Sequence, residues 1–302
     1  SEEVYKQITD DLTEAANGLK DACFTENGFR VTKATAEIVL ADAYLNMSGY
    51  PLRKDNYANA ARTARSIING GKHALLENGE TPETSAYNKI RTLEDSKEYI
   101  YSREYMVGIA ENGWRPAYCF PYSLISLGIF KYGTTNNIYR PLDEMLNIYD
   151  PENDLRIQEK QFFHTSLTYV KDGVEEKVNF ETAPYLWYEE EALFQTGQGG
   201  KDVAVYRYAE ALLIAAEAIA QSEGVTTEAV EYLAQVRARA YTQMEKSDIV
   251  NNLASLTKEN FIKEVWKERL REFILENKIW DDIQRTRMYP VTSDSQKGNV
   301  DF

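Results

Sequence analysis

Apolar positions recur every three or four residues in the N-terminal part of the chain, as they do in amphipathic helices. A first helix is predicted to begin at the N-terminus, and two alanine-rich segments follow at 33–48 and 56–69. Thr32 is placed to cap the second helix, and Gly70-Gly71 ends the third. The two alanine-rich segments therefore predict an antiparallel hairpin of the tetratricopeptide-like type, although one hairpin does not make a repeat array.

The same periodicity returns in the last third of the chain. Residues 203–221 and the segment after Thr226 predict a second helical hairpin, and residues 258–284 predict one long final helix. Trp266 and Trp280 lie on this last helix, and we expect both in the core.

Charged residues interrupt the apolar positions of these helices. Glu268 and Glu272 lie one helical turn apart, as a catalytic carboxylate pair would, but no pocket-forming loop accompanies them. Plausible ionic partners are Arg237, Arg239, Arg269 and Arg271. The pattern therefore predicts ion pairs between packed helices, and we expect no enzymatic activity.

The middle of the chain, residues 72–202, lacks sustained periodicity. Short strands are predicted at 99–102, 162–170 and 177–180, with Asp172-Gly173 as a two-residue turn between the last two. The remaining segments are irregular and rich in glycine, proline and aromatic residues. Long irregular connections in a compact domain are usually functional or disordered, and the aromatic content here favours function.

Two groups of aromatic residues in this region form the candidate ligand-binding site. The candidate residues are Trp114, Arg115, Tyr118, Tyr122, Tyr185 and Trp187. Sugars present apolar C–H faces that stack on flat rings, while their hydroxyl groups need charged or amide partners. A single aromatic residue is more often part of the core, so burial of these rings is the alternative. Several polar-tipped rings in loops favour a binding surface.

The composition limits the partners that we expect. The 302 residues include 48 acidic and 34 basic side chains, giving a net charge of -14. Nucleic acid is therefore not an expected partner, since its binding depends on lysine and arginine. No apolar run approaches the roughly 18 residues of a membrane-spanning helix. Cys23 and Cys119 lack metal or redox spacing and are expected to be free, buried thiols.

No metal or cofactor is predicted. His73 and His164 lie outside any metal or nucleophile motif, and we expect ordinary surface or loop histidines. Residues 150–161 space their acidic side chains as a calcium loop does, but they lack its turn glycine and its final carboxylate. The glycines of residues 196–202 resemble a phosphate loop only superficially, and a flexible loop is expected there.

Several segments together resemble a known family. They are GFRVTKATAEIVLADAYL at 28–45, YDPENDLR at 149–156, RYAEALLIAAEA at 207–218, VRARA at 236–240 and ERLREFILENKIWDDIQR at 268–285. In this order they resemble the SusD/RagB family, the nutrient-binding outer-membrane lipoproteins of Bacteroidota. The chain departs from the family at Asn277-Lys278-Ile279, where the family has glycine-x-arginine.

The resemblance implies an all-α-dominated fold of tetratricopeptide-like hairpins, with long irregular loops and a few short strands. It implies one domain over residues 1–302, with a helical scaffold at 1–71 and 203–290 and a variable ligand-binding loop region at 72–202. The family's signal peptide, lipidated cysteine, first helical region and C-terminal stretch are missing, so we expect an incomplete domain.

The resemblance also implies a function. Family members are non-enzymatic proteins that bind oligosaccharides, or peptides in the RagB-like branch, and deliver them to a SusC-like TonB-dependent transporter. They are exposed on the outer membrane through an N-terminal lipid anchor, which this chain does not contain. Ligand-contacting residues vary between members, so none of the candidate site residues is carried over by motif. A helical scaffold that binds only proteins is the alternative, in which the aromatic loops would be buried.

Overall fold

The computed structural model describes residues 1–113, 115–132, 139–293 and 295–302. The α-helices are α1 Glu2–Gly18, α2 Lys33–Ser48, α3 Tyr57–Gly70, α4 Ala86–Thr92, α5 Asp143–Leu146, α6 Tyr208–Glu223, α7 Thr227–Ala240, α8 Lys246–Ala254, α9 Lys258–Glu272 and α10 Ile279–Thr286. The strands are β1 Tyr99–Arg103, β2 Phe163–Lys171, β3 Val174–Pro184 and β4 Val203–Arg207. The prediction of a helix-dominated fold with a few short strands is confirmed.

The predicted hairpin of α2 and α3 is present, with each end within one residue of the prediction. The Thr35 amide donates to the Thr32 hydroxyl at 3.4 Å, and the Thr32 amide donates to the Thr35 hydroxyl at 3.1 Å. This reciprocal pair satisfies backbone donors at the start of α2. Gly71 ends α3 with a φ of 64°, a left-handed conformation that glycine adopts readily.

Helix α6 is the centre of the main core. Every residue from Tyr208 to Ala220 is buried, since α3, α7 and α9 all pack against this helix. Alanine side chains keep the helices close: Ala60, Ala61 and Ala64 on α3 have no exposed surface. A helix that is covered on all sides needs apolar residues around its whole circumference, as the sequence of α6 provides.

The segment before α6 is a strand, so the prediction of helix from residue 203 onward is wrong. Strand β4 pairs antiparallel with β1, with Tyr99 opposite Arg207 and Arg103 opposite Val203. Two of its five residues are valines, which favour extended structure when a partner strand is available. The pairing brings the end of the irregular middle region against the start of α6.

The last helix is interrupted, so the prediction of one helix over residues 258–284 is also wrong. Helix α9 ends at Glu272 and α10 begins at Ile279, with Asn277 between them at a φ of 62°. A left-handed residue cannot continue a right-handed helix. After this turn α10 buries Arg285 in the interior, while Trp280 is 66% exposed, contrary to the prediction of a core position.

The β-hairpin predicted in the middle region is confirmed. Strands β2 and β3 pair antiparallel, from Lys171 opposite Val174 to Phe163 opposite Pro184. Asp172 and Gly173 have φ angles of 52° and 78°, as the central residues of a tight hairpin turn require.

The predicted ion pairs between packed helices are confirmed. Glu268 on α9 contacts Arg156 and Arg237, each at 2.8 Å, and all three side chains are largely or fully buried. Glu272, one turn later, contacts Arg156 at 3.1 Å and Arg239 at 2.6 Å. Arg156 comes from the irregular region and is 0% exposed. The network therefore ties the middle of the chain to helices α7 and α9.

The cysteines and histidines are all buried. Cys23 and Cys119 are free thiols, as predicted. His73 and His164 are 4% and 2% exposed; His73 lies in a loop, as predicted, whereas the prediction is wrong for His164, which is buried on a strand. His164 lies on the covered part of β2, where its Nε2 donates to the Cys119 carbonyl. Among the described residues no group of three His, Cys, Asp or Glu side chains is arranged to hold a metal ion.

Candidate functional site

Three aromatic rings meet at the surface of the irregular region. The ring centroids of Tyr118 and Tyr139 are 4.6 Å apart, those of Tyr139 and Trp187 are 5.3 Å apart, and those of Tyr118 and Trp187 are 6.5 Å apart. Tyr118 and Trp187 are partly exposed and Tyr139 is 48% exposed. We call Tyr118, Tyr139 and Trp187 the aromatic platform.

Tyr118 is held by a short 3₁₀ helix, Pro116–Cys119. Proline at the first helical position fixes the backbone without the loss of a hydrogen bond. Pro116, Ala117 and Cys119 are buried, so that Tyr118 is the residue of this turn that remains partly exposed. The hydrogen bond from His164 to the Cys119 carbonyl anchors the turn on β2.

Trp187 is positioned by the end of the β-hairpin. The Tyr185 amide donates to the Phe162 carbonyl at 2.7 Å, and the Tyr188 amide donates to the Tyr185 carbonyl at 2.9 Å. Leu186 is buried, so the chain is fixed on both sides of Trp187. These contacts turn the indole towards Tyr118 and Tyr139.

The other predicted site residues lie apart from the platform or outside the described part of the chain. Trp114 falls outside the described residues. Tyr185 is only 8% exposed, and its ring packs against Tyr188 at 4.8 Å and under the Arg91 guanidinium at 4.8 Å. Burial raises the pKa of Tyr185. Tyr185 therefore belongs to the interior, whereas Tyr122 is 54% exposed on the following 3₁₀ helix.

Arg115 lies at the edge of the platform. Its Cζ atom is 5.7 Å from the centroid of the Trp187 ring. The side chain is partly buried, and burial lowers the pKa of its guanidinium. No carboxylate of the described residues lies within 4.0 Å of this guanidinium. Arg140, beside Tyr139, differs because it is already paired with Glu181 at 2.6 Å.

A small cleft of about 40 Å³ adjoins Arg115 and Trp187, and Lys201, Asp202 and Glu276 also line it. This volume has room for ordered water but not for a sugar ring. Burial lowers the pKa of Lys201 to about 8, and its ammonium donates to a backbone carbonyl at 3.0 Å. A ring-sized ligand therefore has to lie on the platform and not inside the cleft.

Both carboxylates of the cleft already have partners. Glu276 accepts from Arg207 at 2.6 and 2.9 Å. Burial raises the pKa of Asp202 to about 6, although the hydrogen bond that it accepts from the Tyr105 amide at 2.7 Å acts in the opposite direction. A carboxyl group whose pKa is raised carries less than a full negative charge near neutral pH.

The loop at 196–202, predicted to be flexible, is tied to the segment that carries Arg115. The Asn112 amide donates to the Gly199 carbonyl at 2.9 Å, and the Asn112 side chain donates to the Lys201 carbonyl at 2.9 Å. A Cβ atom on Gly199 would lie 2.2 Å from the Asn112 side-chain oxygen. The close approach of the two segments therefore requires glycine at 199.

The sequence reasoning missed two residues of this surface, Tyr139 and Lys201. Tyr139 lies in the same irregular aromatic segment as Tyr118, directly before Arg140-Pro141. This position next to an arginine and a proline was the one sign in the sequence that Tyr139 could belong to a binding surface. Lys201 lies in a glycine-rich loop with no aromatic residue, so nothing in the local pattern distinguished it.

Comparisons with known proteins agree with the fold. Residues 187–301 match the SusD family model. A curated relative, SusD-like protein P2 of Formosa agariphila, is 26% identical over 95% of this chain and 56% of its own length. The resemblance to the SusD/RagB family that the motifs indicated is confirmed.

Solved structures share the architecture. A SusD superfamily protein from Parabacteroides distasonis aligns with a TM-score of 0.79 and 24% identity, over 97% of this chain and 59% of that one. Surface glycan-binding protein A from Bacteroides thetaiotaomicron, solved in complex with laminarihexaose, aligns with a TM-score of 0.64 and 19% identity, over 97% of this chain and 66% of that one. At these identities the likeness shows the fold alone. The chain spans little more than half the length of its curated relative.

Proposed function

From the SusD-like fold and the aromatic platform, we propose that this chain is a non-enzymatic oligosaccharide-binding protein of a SusC/SusD-type nutrient uptake system. The observation that carries the proposal is the open surface formed by Tyr118, Tyr139 and Trp187. The three rings meet at interplanar angles of 52° to 88°, so a sugar can stack on one exposed ring face and contact the edges of the others, and Arg115 beside Trp187 supplies hydrogen-bond donors.

The exposure of the rings supports binding over a purely structural role. Tyr139 leaves 48% of its surface in water, although aromatic residues contribute most to stability when they are buried. Apolar surface that a ligand removes from water contributes about 25 cal/mol per Å². A sugar stacked on Trp187 and Tyr139 would gain this contribution without a deep pocket. The glycan bound by the Bacteroides thetaiotaomicron protein agrees with such a ligand.

The positions of the helix carboxylates support binding over catalysis. Glu268 and Glu272, the pair that resembles a catalytic dyad in sequence, are both 0% exposed and are shared among buried arginines. A general acid or base must come within hydrogen-bond reach of the substrate. Neither carboxylate has a path to the platform, so we assign them to stability.

The cellular role rests on the family resemblance. We infer that the protein acts at the surface of the outer membrane, held by an N-terminal lipid anchor, and passes its ligand to a SusC-like TonB-dependent transporter. Within the described residues, no helix combines the length and the apolar character needed to span a membrane.

Titration of Trp187→Ala with oligosaccharides identified on a glycan array tests the proposal. Loss of a stacking ring should weaken binding about tenfold or more, which corresponds to about 1.4 kcal/mol, at a temperature where circular dichroism shows the variant to be folded. Trp280→Ala is the matched control, since Trp280 is 66% exposed on α10, away from the platform. Equal affinity of Trp187→Ala and wild type would refute the site. An array without hits, together with peptide binding, would select the RagB-like alternative.

A further inference from the structure

We propose that the ligand is an anionic saccharide, whose carboxylate or sulfate group binds the guanidinium of Arg115 while its ring stacks on the aromatic platform. This inference rests on the proposed function and adds the chemical class of the ligand. The arginine concerned, Arg115, lies in an unusual environment.

Buried arginines elsewhere in the described residues all have acidic partners. Each of the following has a carboxylate oxygen within 4.0 Å: Arg156, Arg207, Arg237, Arg239, Arg269, Arg271 and Arg285. The same rule holds for the partly exposed Arg65, which contacts Glu223 and Glu228. The chain has 48 acidic residues from which such partners can come. Among the buried and partly buried arginines of the described residues, only Arg91 and Arg115 have no carboxylate oxygen within 4.0 Å.

Arg91, another partly buried arginine near the site, shows how such a group is satisfied without a carboxylate. Its guanidinium donates to the Asn88 side chain at 3.0 and 3.1 Å and to the Tyr188 carbonyl at 3.3 Å. The part of the chain that the structure describes gives the Arg115 guanidinium no comparable acceptor, only the face of Trp187. A charge that is partly removed from water without a partner is unfavourable, and an incoming anion relieves that cost.

The acidic groups nearest to Arg115 do not take the place of this anion. Both oxygens of Glu276 accept from Arg207, and Asp202 accepts from the Tyr105 amide. Lys201 lines the same cleft and adds a second cationic group. The lining of the cleft therefore has two basic and two acidic side chains, and both acidic groups are engaged by donors other than Arg115.

The arrangement suits a sugar acid or a sulfated sugar. A guanidinium presents parallel N–H donors that match the two oxygens of a carboxylate or sulfate group. Such groups project from the edge of a sugar ring. Arg115 lies over the Trp187 ring, so a sugar that packs on the platform beside it can direct such a group to the guanidinium. A neutral hydroxyl group in that place would accept one hydrogen bond but would leave the charge unbalanced.

Matched ligands separate the charge from the sugar. Oligogalacturonate is compared with its carboxyl-reduced form, and a sulfated galactan oligosaccharide with its desulfated form, by calorimetric titration. We expect wild-type protein to bind at least one anionic ligand about 10- to 100-fold more tightly than its neutral counterpart. The pair that shows this preference identifies carboxylate or sulfate as the recognised group.

Two variants assign the preference to Arg115. Arg115→Gln should abolish the difference between the anionic and neutral forms, and Arg115→Lys should restore part of it. Arg140→Gln is the control, since it removes a charge from the same surface that is already paired with Glu181. It should change the affinity for either form of the ligand by less than about threefold.

The possible failures are distinguishable. Equal binding of anionic and neutral ligands, with both lost in Trp187→Ala, would overturn the anionic preference and leave the proposed function standing. Equal weakening of both forms in Arg115→Gln would make Arg115 a support for the platform and overturn the inference. Absence of binding to every saccharide would overturn the inference and the proposed function together.

Discussion

Replacement of Arg156 by methionine tests whether the buried ion-pair network stabilises the fold. Arg156 is 0% exposed and donates to Asp154 at 2.8 and 2.9 Å, to Glu268 at 2.8 Å and to Glu272 at 3.1 Å. Methionine fills much of the same volume with a flexible side chain, so the change mainly removes charge and hydrogen bonds. Glu268 and Glu272 keep other arginine partners, whereas Asp154 loses its buried side-chain donor.

The expected magnitude of this loss follows from the cost of breaking a buried ion pair. Removal of one member of a buried ion pair typically costs about 3–5 kcal/mol. Burial alone would raise the pKa of Glu268, but Arg156, Arg237 and Arg271 outweigh it and lower the pKa from 4.5 to about 2. At 1.36 kcal/mol per pH unit, this difference corresponds to about 3 kcal/mol of stability shared among the three arginines. We therefore expect Arg156→Met to cost about 3–5 kcal/mol, most of it from the unpaired Asp154.

Urea denaturation followed by circular dichroism at pH 7 measures the cost. A second variant, Arg156→Met with Asp154→Asn, removes the unpaired charge and should recover at least about 1 kcal/mol. The stability that Glu268 contributes is present above its unfolded pKa of 4.5 and is lost as the pH falls towards 2. Acid unfolding of Arg156→Met should therefore begin at a higher pH than in wild type. A loss below about 1 kcal/mol, or a double variant less stable than the single one, would refute this account of the network.

Three further predictions concern the backbone and the pH dependence. Gly199→Ala should displace Asn112, lower the free energy of unfolding in urea by about 1–3 kcal/mol and weaken ligand binding. Gly18→Ala is the control: its Cβ atom meets no atom within 4 Å, so it should change neither the free energy of unfolding nor the affinity. Asn277→Ala should lower the free energy of unfolding by about 1 kcal/mol, whereas Asn277→Gly should not, because glycine adopts the φ of 62° readily. Equal losses in the two variants would exclude a conformational cause. Burial lowers the pKa of His164 to about 4, so the free energy of unfolding should fall by up to about 3 kcal/mol as the pH drops from 6.5 to 4. In a pH series of thermal melts, the melting temperature of His164→Gln should depend less on pH than that of wild type.

The helices could be predicted where local sequence and tertiary packing favour the same structure. The hairpin of α2 and α3 has regular apolar spacing, a capping threonine and a terminal glycine, and it was found with nearly the predicted ends. Residues 203–207 were misassigned because the alanine-rich helix that follows hides a strand, whose partner β1 lies about a hundred residues earlier. Trp280 was misplaced because periodicity continues across Asn277, while the backbone there turns. Long-range pairing and one left-handed residue are not visible in apolar spacing.

The candidate site could be predicted only in part. Tyr118 and Trp187 lie together, with Arg115 over the Trp187 ring, although Trp187 is 69 positions after Tyr118 in the sequence and no local pattern links the two segments beyond their aromatic content. Tyr185 was included for the same content, yet it is buried, because its ring packs between Tyr188 and the Arg91 guanidinium. In an irregular segment the sequence shows which rings are available, and tertiary contacts decide which of them stay exposed.

The buried network and the proposed anion site are connected through Arg207. This arginine contacts Glu98 at 2.5 Å and Glu272 at 3.0 Å inside the core, and Glu276 at 2.6 Å at the wall of the cleft. If Glu276 lacked this partner, its carboxylate, which lines the same cleft as Arg115, would be free to neutralise that cation. Because Arg207 holds Glu276, the ion pairs that stabilise the helices also keep Arg115 available to a ligand. Arg207→Met should therefore weaken binding of an anionic saccharide more than binding of its neutral form, beyond any loss of stability. Equal weakening of the binding of both forms would show that the ion-pair network does not keep Arg115 available to a ligand.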